Sequence, residues 1–197
     1  VSVSAQVENI TPKPLRFTGG TCDGDCCAPS MPFDVSQLQK LYIEGAEAVD
    51  AERLESAVKA AGLDVKRIKR RTKRNIGNIE IYLNPDSMPF DEGYAIVTAE
   101  KCVLITARSA AGAFYALQTV RQLVESGEWM TGAIVDYPRF EYRGVLIDIS
   151  RHFRTVDFLK RQIDMMARLK LNRLHLHLTD AAGWRLQVDS YPRLTSY

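Results

Sequence analysis

Two short apolar runs decide the fold of this chain. They read Gly144-Val145-Leu146-Ile147-Asp148-Ile149-Ser150-Arg151 and, thirty residues later, Leu174-His175-Leu176-His177-Leu178-Thr179-Asp180. A stretch with helical spacing lies between them, so the segment reads as strand, helix and strand joined by short links, which implies parallel pairing through a right-handed crossover. Arg151 and Asp180 are therefore predicted to lie at the same end of neighbouring parallel strands. In barrel enzymes that end carries the chemistry.

The predicted β-α-β unit has strands at 143–149 and 172–178 and a helix from about Val156 to Lys170. Thr155 is the expected N-cap of the helix, and Asp157 complements its dipole. The expected buried face consists of Val156, Leu159, Ile163, Met166 and Leu169. A parallel sheet must be covered on both faces, so one such unit is not a domain. We therefore expect a truncated polypeptide, or one from which the remaining repeats are missing.

The residues before this unit predict an α+β domain. The expected elements are a helix at 50–62 capped by Asp50 and ended by Gly62, a half-buried strand at 79–83, a hairpin of 92–97 with 102–107, and a helix at 110–125 between Ser109 and Gly127. Pro138 cannot continue a central strand and favours an extended connection. The predicted domains are 1–137, an N-terminal α+β domain, and 138–197, the first β-α-β unit of a barrel.

Composition indicates an ordinary soluble globular protein, with 46% apolar and 25% charged residues. The formal net charge of +2 gives no general attraction to nucleic acid or to anionic membranes. No apolar run approaches the ~20 residues needed to span a bilayer. The first residues lack a basic segment followed by an apolar one, so no signal peptide is visible.

Three cysteines, Cys22, Cys26 and Cys27, lie in a Gly- and Asp-rich loop, at a spacing that matches no common zinc site. They read either as variable loop thiols or, in an exported protein, as partners of a local disulfide. Cys102 begins an apolar run and is expected to be a small core residue.

Two charged motifs have alternative explanations. The run 66–74 has seven basic residues in nine; such runs can bind nucleic acid or heparin, but the near-neutral total charge favours an exposed connection. Asp91-Glu92 is the only adjacent Asp-Glu pair. Its position just before Gly93, at the start of a strand, favours a turn over a pair of catalytic carboxylates.

The candidate site residues also allow two interpretations each. Arg151 either pairs with a nearby carboxylate or directs a fixed fork of donors at a ligand's hydroxyls or carboxylates. Asp180 follows a strand, where an Asp is more often a helix cap than a catalytic group. His175 and His177 point to the same side of the second strand, and are expected to be hydrogen-bonded interior histidines rather than metal ligands. His152 faces either the site or solvent.

Taken together, these motifs resemble the β-N-acetylhexosaminidases of glycoside hydrolase family 20. The resemblance to the family's N-terminal domain is carried by Glu92-Gly93-Tyr94 and by 112–119. That to its first two barrel strands is carried by Pro138-Arg139-Phe140 with 143–152, and by Leu171-Asn172 with 175–180 and Gly183-Trp184-Arg185. The family's second strand often ends in Asp-Asp-Gln-Gly-Trp-Arg. Here Ala181-Ala182 replaces the middle of that motif and leaves Asp180 intact.

The resemblance implies an α+β domain followed by the start of a (β/α)8 barrel, with no cofactor and no metal. Arg151 would bind the outer hydroxyls of a terminal N-acetylhexosamine, and Asp180, with His177, would belong to the supporting shell. The catalytic pair would be an adjacent Asp-Glu on the fourth barrel strand, beyond Tyr197, so the chain itself is expected to be inactive.

The family's hydrolysis proceeds with retention, because the substrate's own acetamide oxygen attacks the anomeric carbon. The implied partner is a glycan ending in N-acetylhexosamine, without nucleic acid or a membrane span, and export is expected by analogy. The alternative is a non-catalytic carbohydrate-binding or scaffolding module; the oligomeric state is not predicted.

Overall fold

The structure is a computed structural model that describes residues 31–70, 77–99, 101–181 and 183–196. The interpretations of Cys22, Cys26 and Cys27, and of the middle of the basic run, lie outside the described residues. The described start of that run is exposed and contains a two-residue strand, Lys66–Arg67.

The N-terminal domain is built on a six-stranded mixed sheet. Its strands are β1 (Lys40–Glu44), β2 (Lys66–Arg67), β3 (Asn78–Leu83), β4 (Tyr94–Ala99), β5 (Cys102–Ala107) and β6 (Gly132–Asp136), in the order β2-β1-β3-β5-β4-β6. β1 pairs in parallel with β2 and β3, and β3 pairs in parallel with β5. β4 runs antiparallel to both β5 and β6, which confirms the predicted hairpin.

The domain has two helices, α1 (Ala48–Ala60) and α2 (Ala110–Ser126), which pack against each other, and α2 packs against β3, β4 and β5 of the sheet. Ser109 caps α2 by accepting hydrogen bonds from the amides of Ala111 and Gly112, as predicted. Asp50 was expected to cap α1, but Glu47 holds that position without a side-chain bond and Asp50 lies in the first turn. Among the described residues, no helix is long and apolar enough to cross a membrane.

The core of the domain lies between α1, α2 and the sheet, where Leu54, Val58 and Leu117 are almost fully buried. β3 differs from its predicted half-buried form, because Asn78–Ile81 are all buried. Alternation of buried and exposed residues is typical of strands with one solvated face. β3 lies between β1 and β5, and its residues Asn78–Ile81 are buried on both faces of the sheet.

The predicted β-α-β unit is present. It consists of β7 (Gly144–Asp148), α3 (Val156–Arg168) and β8 (Arg173–His177), and β7 pairs in parallel with β8 from Gly144↔Arg173 to Asp148↔His177. Thr155 caps α3 by accepting a hydrogen bond of 3.2 Å from the Phe158 amide. The parallel strand pairing and the start of α3 therefore agree with the prediction from the sequence.

The predicted buried face of α3 is wrong for most of its residues. Met166 is buried, whereas Val156, Ile163 and Leu169 are between 49% and 66% exposed. The physical reason is the number of covering layers: in the described chain the sheet of this unit has only two strands, and α2 is the main neighbouring helix of α3. The apolar spacing predicted the helix correctly, but not the burial of its stripe.

Candidate functional site

The ends of β7 and β8 bring the predicted site residues together. Asp148 is in register with His177, and the amides of Ile149 and Ser150 both donate to the His177 carbonyl, at 3.1 and 3.2 Å. The Arg151 Nε atom lies 3.7 Å from Asp180 Oδ2. Arg151 and Asp180 therefore meet at one end of a parallel strand pair, as the order of elements predicted.

A turn after β7 orients Arg151. Asp148 Oδ1 accepts hydrogen bonds of 3.0 Å from the amides of Ser150 and Arg151, and its Oδ2 accepts one from Arg151 Nε. The backbone hydrogen bond from Arg151 is the main reason that the pKa of Asp148 lies below its ordinary value. The hydrogen bond to Asp148 likewise raises the pKa of Arg151. The carboxylate pairing that the sequence left open is thus real.

This pairing does not occupy all the hydrogen-bond donors of the Arg151 guanidinium. The Arg151 side chain is 58% exposed, and only its Nε atom is hydrogen-bonded to a residue that the structure describes. Arginine carries five N–H donors in a rigid fork. Asp148 therefore fixes the fork, while the donors on both terminal nitrogens remain available to an incoming ligand. The two readings of Arg151 are compatible.

Asp180 belongs to a short hairpin rather than to a helix cap. β9 (Thr179–Asp180) pairs antiparallel with β10 (Gly183–Trp184), and Asp180 Oδ1 accepts a hydrogen bond of 2.7 Å from the Ala181 amide. Sequence reasoning missed this hairpin. The sequence signal was weak, because the connection Ala181-Ala182 lacks the Asn or Gly residues that mark tight two-residue hairpins.

His177 lies between the two carboxylates of the site. Its Nε2 is 3.0 Å from the Thr179 carbonyl oxygen and 3.6 Å from Asp180 Oδ2, and its Nδ1 is 3.9 Å from Asp148 Oδ2. His175 was expected to be an interior residue and is instead exposed, because that face of the two-stranded sheet is uncovered in the described chain. His152 is also exposed. No group of side chains among the described residues could hold a metal ion.

Residues to which the sequence assigned no individual role form the base of the site. Ser150 is fully buried, and its Oγ donates to the Gly183 carbonyl at 2.5 Å. A Cβ atom at Gly183 would lie 2.5 Å from the Ser150 carbonyl oxygen, so this contact requires glycine. Arg185 donates to the carbonyls of Ile149 and Ser150, at 3.0 and 3.3 Å. These bonds hold the hairpin against the end of β7.

The other adjacent carboxylates of the chain lie elsewhere. Asp91 and Glu92 form a turn before β4, as expected. Asp91 pairs with Arg108 at 3.0 Å, and Glu92 pairs with Arg143. Both carboxylates are engaged with arginines in the N-terminal domain or at its border. The site at the strand ends therefore offers an oriented fork suited to hydroxyl groups, with no adjacent Asp-Glu pair beside it.

Two family models match the chain in succession. The model "Glycosyl hydrolase family 20, domain 2" matches residues 9–137, and "Glycosyl hydrolase family 20, catalytic domain" matches residues 140–197. A β-hexosaminidase of Porphyromonas gingivalis is 32% identical over 95% of this chain and 24% of its own length. A β-N-acetylhexosaminidase of Cellulomonas fimi is 47% identical over 59% of the chain and 25% of its own length. The chain thus spans about a quarter of these relatives.

Solved structures agree with these matches. The N-acetyl-β-hexosaminidase of Streptomyces plicatus, in complex with thio-NAglucal, superposes with a TM-score of 0.69 at 37% identity, covering 84% of this chain and 35% of that one. An exo-β-N-acetylglucosaminidase of Vibrio harveyi, in complex with N-acetylglucosamine, gives 0.66 at 31% identity over 85% and 26%. The predicted fold class, an α+β domain followed by the start of a (β/α)8 barrel, is confirmed.

Proposed function

We propose, from the premise that this chain belongs to glycosyl hydrolase family 20, that it supplies one wall of the sugar pocket of a β-N-acetylhexosaminidase. The complete enzyme would remove terminal β-linked N-acetylhexosamine from glycans. The meeting of Arg151 and Asp180 at the ends of β7 and β8, 3.7 Å apart, carries this proposal. The names of the relatives support the reaction class, since they are β-hexosaminidases and a chitobiase.

In the proposed mechanism Arg151 holds the outer hydroxyls of the terminal sugar. Asp148 fixes the guanidinium before the sugar arrives, so little conformational freedom is lost when the sugar binds. Asp180 and His177 form the supporting shell beside it. Because donors that are already oriented cost no reorganisation during the reaction, such contacts contribute to stabilising the transition state.

The proposed chemistry is hydrolysis with retention, in which the substrate's acetamide oxygen attacks the anomeric carbon. This attack breaks the bond to the leaving oxygen, and water then attacks the same carbon and releases the acetamide oxygen, so the configuration is retained. The reaction needs a carboxylate to orient the acetamide and a protonated carboxyl group that gives its proton to the leaving oxygen. Asp91 and Glu92, the only adjacent pair of this kind in the sequence, are bound to Arg108 and Arg143, and Glu92 lies at the starts of β7 and β8 rather than at the ends that carry Arg151. We therefore propose that the 197-residue chain does not hydrolyse the substrate by itself. Export of the protein stays a prediction.

The test uses a chromogenic N-acetyl-β-glucosaminide and the protein encoded by the complete reading frame. Arg151→Ala should lower kcat/KM on the order of 10²-fold or more, through lost contacts in the transition state. Arg154→Ala is the matched control, since Arg154 is an exposed arginine in the same loop and lies over the Phe158 ring. Arg151→Lys, which keeps the charge and loses the fork, should resemble Arg151→Ala.

Three outcomes would overturn the proposal. A change of less than about threefold in Arg151→Ala would remove Arg151 from the sugar pocket. Hydrolysis by the 197-residue chain would place catalysis on residues within it. Sugar binding without turnover by the complete protein would favour the non-catalytic carbohydrate-binding module instead.

A further inference from the structure

The end of the barrel unit opposite to Arg151 is fastened to the N-terminal domain by polar side chains. We call this set the junction cluster; its members are Glu92, Tyr94 and Asp136 from the N-terminal domain and Arg143, Lys170 and Asn172 from the barrel unit. Arg143 directly precedes β7, and Asn172 directly precedes β8. The cluster therefore holds the starting points of both strands whose other ends form the site.

Glu92 contacts both strand starts with a single carboxylate. Its Oε2 accepts a hydrogen bond from Arg143 Nη2, and its Oε1 accepts one of 2.9 Å from Asn172 Nδ2. One side chain of the N-terminal domain thus spans the first residues of two neighbouring strands. A shift of β7 along β8 by one residue would break at least one of these two bonds, because residues along a strand are about 3.3 Å apart.

Bonds within the barrel unit connect the same two points. Asn172 Oδ1 accepts from the Arg143 amide at 3.0 Å, and Arg143 Nε donates to the Lys170 carbonyl at 2.8 Å. Lys170 Nζ reaches back to the N-terminal domain, at 2.7 Å from Asp136 Oδ2 and 2.5 Å from Tyr94 Oη. The network is closed, since each strand start is bonded both to the other and to the N-terminal domain.

The central pair of this network is partly shielded from water. The side chains of Arg143 and Glu92 are 17% and 19% exposed, at the edge of a cavity of about 210 Å³. An ion pair on the surface contributes little because water screens it. Removal of one partner of a shielded pair, in contrast, leaves an uncompensated charge and is strongly destabilising. Glu92 is therefore expected to stabilise the positions of β7 and β8 more than an exposed carboxylate would.

We propose that Glu92 is a positioning residue that sets the relation between β7 and β8, and through it the placement of Arg151 beside Asp180. The inference rests on the proposed function only for the reason why this placement matters, since a misplacement of about 1 Å in a catalytic site can cost on the order of 10²-fold in rate. The N-terminal domain would thus align part of the sugar pocket through contacts at the opposite ends of β7 and β8.

The test measures amide hydrogen exchange in the 197-residue chain by NMR. The reporters are the amides of Ile149 and Ser150, which bond across to His177 at the site end, and the reference is the β3–β5 pair inside the N-terminal domain. Glu92→Gln should speed exchange at the reporters by about tenfold or more, equivalent to about 1.4 kcal/mol. The reference amides should stay within about twofold.

Asp91→Asn is the matched control, because Asp91 is the preceding residue, is 84% exposed and pairs with Arg108 within its own domain. It should leave the reporters unchanged. The NMR chemical shifts of the His177 ring protons, measured at one fixed pH, should change in Glu92→Gln and remain the same in Asp91→Asn. Arg143→Lys, which keeps the charge but loses the fork, should speed the reporters by a smaller factor than Glu92→Gln.

The proposal is overturned if the reporters of Glu92→Gln exchange within about twofold of the unmodified chain. It is also overturned if the reference amides speed up by the same factor as the reporters in both Glu92→Gln and Arg143→Lys, because the junction would then stabilise the whole chain rather than align two strands. Neither readout depends on hydrolysis, so a failure here is distinguishable from a failure of the proposed function.

Discussion

The two domains of this chain bury the apolar residues of their helices to different extents. In the N-terminal domain the apolar faces of α1 and α2 lie against a six-stranded sheet, and Leu54 and Leu117 are almost fully buried. In α3, the helix of the barrel unit, only Met166 is buried, although the sequence of this helix is strongly amphipathic. The spacing of apolar residues therefore predicts the element, while burial depends on the number of layers that surround it.

The largest expected difference between the domains is in the cost of a cavity. Ile81→Ala, in the fully buried centre of β3, should lower the free energy of unfolding by about 2–5 kcal/mol, because it removes buried methyl groups and leaves a void. Ile163→Ala, on the exposed part of α3, should change it by less than about 0.5 kcal/mol. Chemical denaturation of the 197-residue chain measures both values. Equal costs would show that α3 is covered in solution, and the contrast between the domains would fail.

A smaller difference is expected between the helix caps. Ser109→Ala removes a side chain that accepts from two amides of α2 and donates to the Asp91 carbonyl at 2.6 Å. Thr155→Ala removes one bond to the Phe158 amide of α3. The first should cost about 1–2 kcal/mol and the second about 0.5–1 kcal/mol. Thermal unfolding of the two variants checks the order; a larger cost for Thr155→Ala would contradict it.

The smallest expected effect concerns the pH dependence at the border of the domains. Burial acts to raise the pKa of Asp136, but hydrogen bonds from Lys170 and Tyr94 outweigh it and the pKa lies below the ordinary value of 3.8. The stability that Asp136 contributes is therefore present above that value and is lost as the pH falls through the lower, folded-state pKa. The effect is modest, because the carboxylate is partly exposed and screened by water.

Asp136→Asn should make the free energy of unfolding fall less steeply on acidification below pH 3.8 than it does in the unmodified chain. Denaturant titrations at a series of acidic pH values measure the slope. In a Lys170→Met background the same substitution should change the slope less, since the main hydrogen-bond donor is gone. An unchanged difference in that background would assign the pKa shift to another group.

Much of the fold could be predicted because its signals are local. The caps Ser109 and Thr155 and the spacing in α2 and α3 are fixed by neighbours within a few residues. The parallel pairing of β7 with β8 followed from chirality and short links. The exposure of Val156 and Ile163 could not be predicted in this way, because it depends on which surfaces reach α3 in three dimensions.

The site was predictable in part for the same reason. The convergence of Arg151 and Asp180 followed from their positions at strand ends, since parallel strands deliver their ends to one side. Pairing of Arg151 with a nearby carboxylate was one of two open interpretations, but the sequence did not identify Asp148 as its partner, and the roles of Ser150 and Arg185 were not predicted. Those contacts depend on the hairpin 179–184 folding back over β7, and no periodicity in the sequence encodes that return.

The proposed sugar pocket depends most on the guanidinium of Arg151 facing a bound sugar at the ends of β7 and β8. A crystal structure of the protein from the complete reading frame, soaked with N-acetylglucosamine, tests this directly. We expect the terminal nitrogens of Arg151 to lie within hydrogen-bond distance of two sugar hydroxyls, with Asp148 still bound to its Nε. A sugar bound at another place, with Arg151 turned toward solvent, would contradict the account.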